Sequence, residues 1–267
     1  MLASPGFMRA LALVAVLVLV PAAAAAQEAS PPATEGARSA PDVEVGVETD
    51  AGSVYLFRGL VYSDGPVTQS KAWVSVGGLS LYAWSNVAVP AAPLARSLDE
   101  VDLGGSYALE RGRLTVEPAI DVYLYRLSEP EAAEGVVART AEVSVMVSYG
   151  MAAATVYTRQ VVDAGSYHGA YFGELGASYD RAVTPRTDLG ISARVGWASA
   201  RFNRSYIGPV AAGLELVGAG VSVTRRFGRH LYVRPHAEIT TVPRASLRAH
   251  LDRPTNGSVG LAVGVVR

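Results

Sequence analysis

Three features of this 267-residue chain predict an all-β fold: a transmembrane antiparallel β-barrel of about 12 strands. From residue 43 onward, apolar and polar residues alternate, which marks strands with one apolar and one polar face. The connectors run long, then short, then long, as they do where short turns lie in the periplasm and longer loops outside. The charged residues within a strand share one parity, which leaves the opposite face free to meet lipid.

The chain opens on a different pattern. Arg9 precedes the apolar run Ala10 to Val20, Pro21 breaks it, and Ala24-Ala25-Ala26 stand before Gln27. This order predicts a cleaved signal peptide over residues 1–26. The run is too short to span a bilayer as a helix, which takes about 20 apolar residues. Residues 27–42 are rich in Ala, Pro, Ser and Glu, lack apolar periodicity, and read as a disordered periplasmic tail. Residues 43–267 then form the barrel, a length that one all-β domain can fill. Cysteine is absent, which excludes disulfides, Cys-ligated zinc and a thiol nucleophile. The net charge of -1 and the lack of a basic cluster speak against nucleic acid as a partner. Lys71 is the only lysine, a matter of composition more than of function.

Strands are expected near 43–60, 65–77, 79–90, 98–109, 113–127, 138–149, 151–162, 167–180, 187–201, 209–226, 230–242 and 257–266. The short turns are Gly77-Gly78, Glu110-Arg111-Gly112, Tyr149-Gly150, Arg181 to Arg186 and Phe227-Gly228-Arg229. The outer loops are Tyr62 to Asp64, hardly longer than a turn, then Ala91 to Ser97, Ser128 to Val137, Asp163 to Ser166, Asn203 to Gly208 and Pro243 to Asn256. In 113–127, Leu114, Val116, Ile120, Val122 and Leu124 oppose Thr115, Glu117, Asp121 and Tyr123. In 230–242, Leu231, Val233 and Ile239 oppose Arg234, His236 and Glu238. A lipid-facing Arg or Lys costs about 2–4 kcal/mol at the midplane, so the polar parity must line a wet or internally paired lumen. Pro118 and Pro235 each delete a ladder hydrogen bond inside a strand, which predicts bulges there. The parity flip from Leu214 and Leu216 to Val221 and Val223 predicts another near Gly218-Ala219-Gly220.

The strongest local signature is Tyr55-Leu56-Phe57-Arg58-Gly59-Leu60, followed by Ser63-Asp64-Gly65-Pro66. Tyr82-Ala83-Trp84-Ser85-Asn86-Val87 and Glu100-Val101-Asp102-Leu103-Gly104-Gly105 come next. Over about residues 50–126 this series resembles the TorF-like porin family of Gram-negative outer membranes. The resemblance implies an outer-membrane barrel of porin type, handed to the barrel assembly machinery. The chain departs from many such barrels in ending Val265-Val266-Arg267 rather than on an aromatic residue.

The candidate lumen residues are the acids Glu100, Asp102, Glu117, Asp121, Glu142, Glu174 and Glu238 and the bases Arg58, Arg159, Arg194, Arg234 and His236, with Glu44, Glu48 and Glu215 on the same parity. Rings of such charge set ion selectivity in pores. The competing reading is an interior salt-bridge network that plugs the barrel. For Arg58 the choice is a constriction, an anchor to lipid head groups, or a pairing with Asp64 or Glu100. Trp73, Trp84, Tyr82, Tyr107, Tyr125, Tyr171, Tyr179 and Trp197 fit aromatic girdles better than sugar-stacking platforms, although the lipid face of 79–87 is ambiguous. Ser166, His168 and Glu174 form a weak hydrolase pattern, and no His pair has metal spacing. The expected function is a non-enzymatic outer-membrane channel for passive diffusion of small solutes or ions, with no cofactor and with membrane lipid around it. Loops 128–137 and 243–256 would shape its mouth, and an excess of acids predicts a mild cation preference. The alternatives are a closed surface-loop barrel for adhesion or assembly and, behind it, a lipid-modifying enzyme.

Overall fold

A computed structural model describes residues 43–89, 99–126 and 137–267. The expected signal peptide and tail, the loop at 91–97 and nearly all of the loop at 128–137 lie outside the described residues. Twelve antiparallel strands make the wall: β1 (Val43–Gly52), β4 (Val67–Val76), β5 (Leu79–Ala88), β6 (Asp99–Tyr107), β8 (Leu114–Arg126), β9 (Arg139–Met151), β10 (Ala154–Asp163), β11 (Tyr171–Thr184), β12 (Thr187–Ala198), β13 (Gly213–Phe227), β14 (Leu231–Thr241) and β15 (Thr255–Val266). Neighbours in sequence are neighbours in the sheet, β1 pairs with β15, and pairing of β6 with β8 completes the ring. Three short strands stand apart from this count. β2 (Tyr55–Phe57) and β3 (Leu60–Ser63) form their own hairpin, and β7 (Leu109–Arg111) continues the β6 ladder along β8.

The alternation sorts as expected. Val45, Leu81, Leu103, Ile120, Val143, Leu175, Ile191, Val221, Ile239 and Val259 are exposed on the outer surface. The opposite parity turns its polar groups inward, where they meet across the lumen.

Four local expectations are corrected. The first strand ends at Gly52, not at residue 60, so the first outer connection runs from residue 53 to 66 and holds the β2–β3 hairpin. Gly150 stays in the ladder opposite Thr155, and the turn falls on Ala152-Ala153, with Ala152 at φ 52°. Neither proline makes a bulge: the register is unchanged on both sides of Pro118 and of Pro235. Instead the ladder is interrupted opposite each of them, between β6 and β7 and between β13 and β14. A missing N–H opens a gap in pairing without adding a residue. The β13 bulge lies three residues before the expected site, where Glu215 is the extra residue between Leu214, opposite Trp197, and Leu216, opposite Gly196.

Two short helices sit in the outer loops: α1 (Ala200–Tyr206), after β12, and α2 (Ala245–Arg248), after β14. The Ser199 side chain caps α1 by accepting from the Phe202 N–H. Beneath these helices lies a packed core. Phe172, Phe202 and Leu216 bury together, and Leu60 of the hairpin joins Val210, Val242 and Leu247. The outer half of the barrel is therefore filled, while the periplasmic half is hollow.

Candidate functional site: the lumen

At the outer level the hairpin crosses the lumen. Its tip is Arg58-Gly59, both with positive φ (52° and 85°). The Arg58 guanidinium donates two hydrogen bonds to Glu142 on β9, at 2.8 and 2.6 Å. It also lies over the rings of Phe57, Phe172 and Phe202, with centroids at 4.5, 4.9 and 5.4 Å. The Tyr123 hydroxyl donates to the same carboxylate at 2.8 Å. On the far side, Asn256 of β15 donates to the Gly59 carbonyl at 3.4 Å. Arg58 thus pairs with neither Asp64 nor Glu100, and it is a buried anchor instead of an exposed member of a ring. A bidentate guanidinium–carboxylate pair between aromatic faces holds direction as well as charge.

Beside this anchor the wall of β6, β8 and β9 is acidic. Glu100, Asp102, Asp121 and Glu142 are all buried. Arg159 of β10 reaches Asp121 at 3.3 Å, and the Tyr82 hydroxyl also donates to Asp121.

Lower down, cations stand mostly on β12 to β14. Arg194 bonds Glu238, Arg234 donates to Glu48 at 2.7 and 2.6 Å, and His236 Nε2 meets Asp50 at 2.7 Å. Arg226 reaches Asp188 at 2.6 Å. Tyr157 donates to Glu174 at 2.7 Å. Several of these bonds skip a strand, passing over a glycine. Tyr82 lies across Gly104 to reach Asp121, and Tyr232 across Gly264 to reach Glu48. A Cβ at either glycine would collide with the ring, so the residue type is set by close approach.

At the periplasmic level a cavity of about 920 Å³ opens, lined in part by Glu48, Lys71, Trp73, Tyr82, Glu117 and Arg234. A smaller one of about 220 Å³ is bordered by His236 and Glu238. Lys71 lies over the rings of Tyr82 and Trp73, at 4.7 and 5.9 Å from their centroids.

The structure thus divides the expected residues by level. Arg58, Glu100, Asp102 and Glu142 belong to the packed outer half, and Asp121, Arg159, Glu174, Arg194, His236 and Glu238 to paired clusters on the inner wall. Glu117 and Arg234 border the large cavity. The aromatic residues divide as well. Tyr107, Tyr171, Tyr179 and Trp197 point outward. Trp73, Tyr82, Trp84 and Tyr125 point inward, which corrects the girdle reading for Trp73 and Tyr125 and decides the open facing of Tyr82 and Trp84. Trp73 donates to Glu44 at 2.8 Å, and Trp84 packs on Tyr55 of the hairpin, with centroids 5.5 Å apart. Ser166, His168 and Glu174 are not assembled: the Ser166 hydroxyl is donated to the Arg139 carbonyl, and Glu174 is held by Tyr157. Asp50, Asp188, Arg226 and Lys71 join the lumen set, each on the polar parity of its strand.

No family model and no curated protein matches the chain. Its fold recurs among solved barrels. The KdgM porin is 9% identical and covers 82% of this chain and 98% of its own, with a TM-score of 0.52. LpxR from Salmonella typhimurium is 8% identical, over 84% of this chain and 100% of its own, with a TM-score of 0.50. The NanC porin is 11% identical, over 84% and 99%, with a TM-score of 0.48. At such identities the likeness is one of fold. The closed ring of strands and its apolar outer surface place the protein in the outer membrane.

Proposed function

We propose that the protein is a porin-type channel of the outer membrane, akin to the TorF-like porins, through which small solutes or ions diffuse passively along a charged lumen. In this reading residues 1–26 direct export, 27–42 form a periplasmic tail, and the barrel assembly machinery inserts residues 43–267. The observation that carries the reading is the division of the lumen into a polar hollow and a plug of separate construction. Charged side chains line the periplasmic cavity, whereas a hairpin that belongs to no wall strand occupies the outer half. That hairpin is the constriction, and Arg58–Glu142 sets its position. The excess of acids on the inward parity, with Glu117 on the cavity wall carrying no ion pair among the described residues, favours cation passage.

The packing of Phe172, Phe202, Leu216, Val242 and Leu247 favours a second reading, a closed barrel that presents its loops. Planar-bilayer recording separates the two. The channel reading expects discrete conductance steps from the wild type and larger steps once residues 54–63 are replaced by a short turn. Silence from both folded proteins would sink it and leave the closed barrel.

A further inference from the structure

A line of polar groups crosses the lipid-facing wall on β10 to β12. Tyr157 and Arg159 turn inward to Glu174 and Asp121, so Thr158 and Gln160 stand on the outer face of β10. Trp197 lies flat across Gly173, where a Cβ would collide with its indole, and its N–H donates to the Tyr171 hydroxyl at 3.0 Å. That hydroxyl donates to Gln160 Oε1. Gln160 Nε2 donates to Thr158 Oγ1 at 2.6 Å, and the Thr158 hydroxyl to the Glu174 carbonyl at 2.9 Å. An interfacial girdle accounts for Tyr171 and Trp197, which stand at the outer ends of β11 and β12. It does not account for Gln160 and Thr158 further down β10, where Thr158 is opposite Leu175, itself exposed on the outer wall. The Gln160 amide has a second N–H that this chain of bonds does not use, and a polar group left unpaired against lipid is costly.

Directly above this line the rim is cationic. The two loops that border it, 164–170 and 199–212, carry Arg201, Arg204 and His168 and contain no acid. Arg201 and Arg204 are exposed and, three apart on α1, share one face of it, turned away from the buried Phe202 and Asn203. The Ser199 hydroxyl accepts from the Tyr171 N–H at 3.0 Å, which fixes the start of α1 over the start of β11. The Arg201 stem runs beside Gly169, its Cδ 3.9 Å from where a Cβ would stand, so it lies along the loop over the wall. Neither arginine has an ion pair among the described residues.

We propose that the outer face of β10 to β12 is a docking site for a phosphorylated, amide-acylated glycolipid of the lipopolysaccharide type, the lipid of the outer leaflet. Arg201 and Arg204 meet its phosphate, for which a guanidinium is the suited donor. Gln160, one level down, meets an amide or ester carbonyl where the acyl chains leave the sugar. The two features point to one ligand because they differ in depth as its parts do: anionic groups at the head, polar linkages just beneath, hydrocarbon below. A free phosphate would use the arginines and leave Gln160 unserved. A simple phospholipid offers one phosphate and no amide. The inference stands apart from conduction, since the outer wall is the same in an open or a closed barrel.

Native mass spectrometry of the full barrel in detergent tests it, with diphosphoryl lipid A and phosphatidylglycerol as the two probes. The wild type is expected to retain lipid A under conditions that strip phosphatidylglycerol, and to keep it in an excess of inorganic phosphate. Arg201→Glu/Arg204→Glu should abolish that preference while heat-modifiable gel mobility, the sign of folding, is retained. Gln160→Leu puts an apolar side chain on a lipid-facing wall, which a barrel tolerates, and should weaken lipid A retention roughly three- to tenfold, the worth of one net hydrogen bond. Equal retention of the two lipids, release of lipid A by inorganic phosphate, or retention that survives the arginine double variant overturns the proposal. Retention that Gln160→Leu leaves unchanged overturns it too, since only a charge attraction of the loops would then remain.

Discussion

Arg58 concentrates more interactions than any other side chain of the lumen: two hydrogen bonds to Glu142 and three aromatic faces. Breaking a buried pair from one side strands the other charge, at about 3–5 kcal/mol. Arg58→Ala should therefore lower the unfolding midpoint, read by heat-modifiable mobility, more than the double variant Arg58→Ala/Glu142→Gln does. Equal losses in the two would mean that Glu142 is not stranded as an uncompensated charge when Arg58 is removed. Gly59 is the second fixed point. At φ 85° it occupies the left-handed region, and a Cβ there would stand 2.8 Å from Leu216 Cδ1. Gly59→Ala is expected to cost about 1–3 kcal/mol of stability through the φ alone, with the clash adding to it. Glu215 points the other way. It is wholly buried in the β13 bulge, and neither of its carboxylate oxygens has a hydrogen-bond partner. Glu215→Gln removes the charge that has to be desolvated, so it should raise the unfolding midpoint, and a lowered one would refute this account of the bulge.

At the scale of the element, strand faces were legible because lipid on one side and charge on the other leave a parity that survives in any single strand. The hairpin was not. Tyr55 and Phe57 continue the parity of Val43, Val45 and Val47 in β1, so the pattern reads as one long strand running on past Gly52. The chain leaves the wall at Gly52-Ser53 and reverses at Arg58, where a non-glycine residue takes positive φ. Nothing local to Arg58 could name Glu142, which lies 84 positions away. Two of the inward aromatic residues find their room over glycines on neighbouring strands, Trp73 over Gly46 and Tyr82 over Gly104. Parity within one strand carries no record of that. Gly104→Val should displace Tyr82 from Asp121 and destabilise the barrel by about 1–3 kcal/mol through overpacking. The same change at Gly112, whose Cβ would meet nothing within 4 Å, would strain the turn but leave the lumen contacts intact. Tyrosine fluorescence alongside the unfolding midpoint distinguishes the two.

For the whole molecule the sign of ion selectivity follows from which lumen charges remain free after pairing. Arg194, Arg226, Arg234 and His236 are each held by a carboxylate, so their fields are largely cancelled at the lumen axis. Lys71 is an exception, as is Arg181, which borders the large cavity with no ion pair among the described residues. The Lys71 ammonium group lies against aromatic faces, no carboxylate is within salt-bridge distance among the described residues, and it borders the large cavity. Glu117 borders the same cavity with no ion pair among the described residues. Lys71 thus opposes cation entry, and its removal strands no salt-bridge partner among the described residues. In a salt gradient the wild type should show a reversal potential of cation-selective sign. Lys71→Gln should enlarge it, and Glu117→Gln should shrink it. Both effects should fade at high salt, because at 1 M the screening length falls to about 3 Å. A reversal potential that Lys71→Gln leaves unchanged would mean that the periplasmic cavity does not set the selectivity, and its charges would then serve the structure alone.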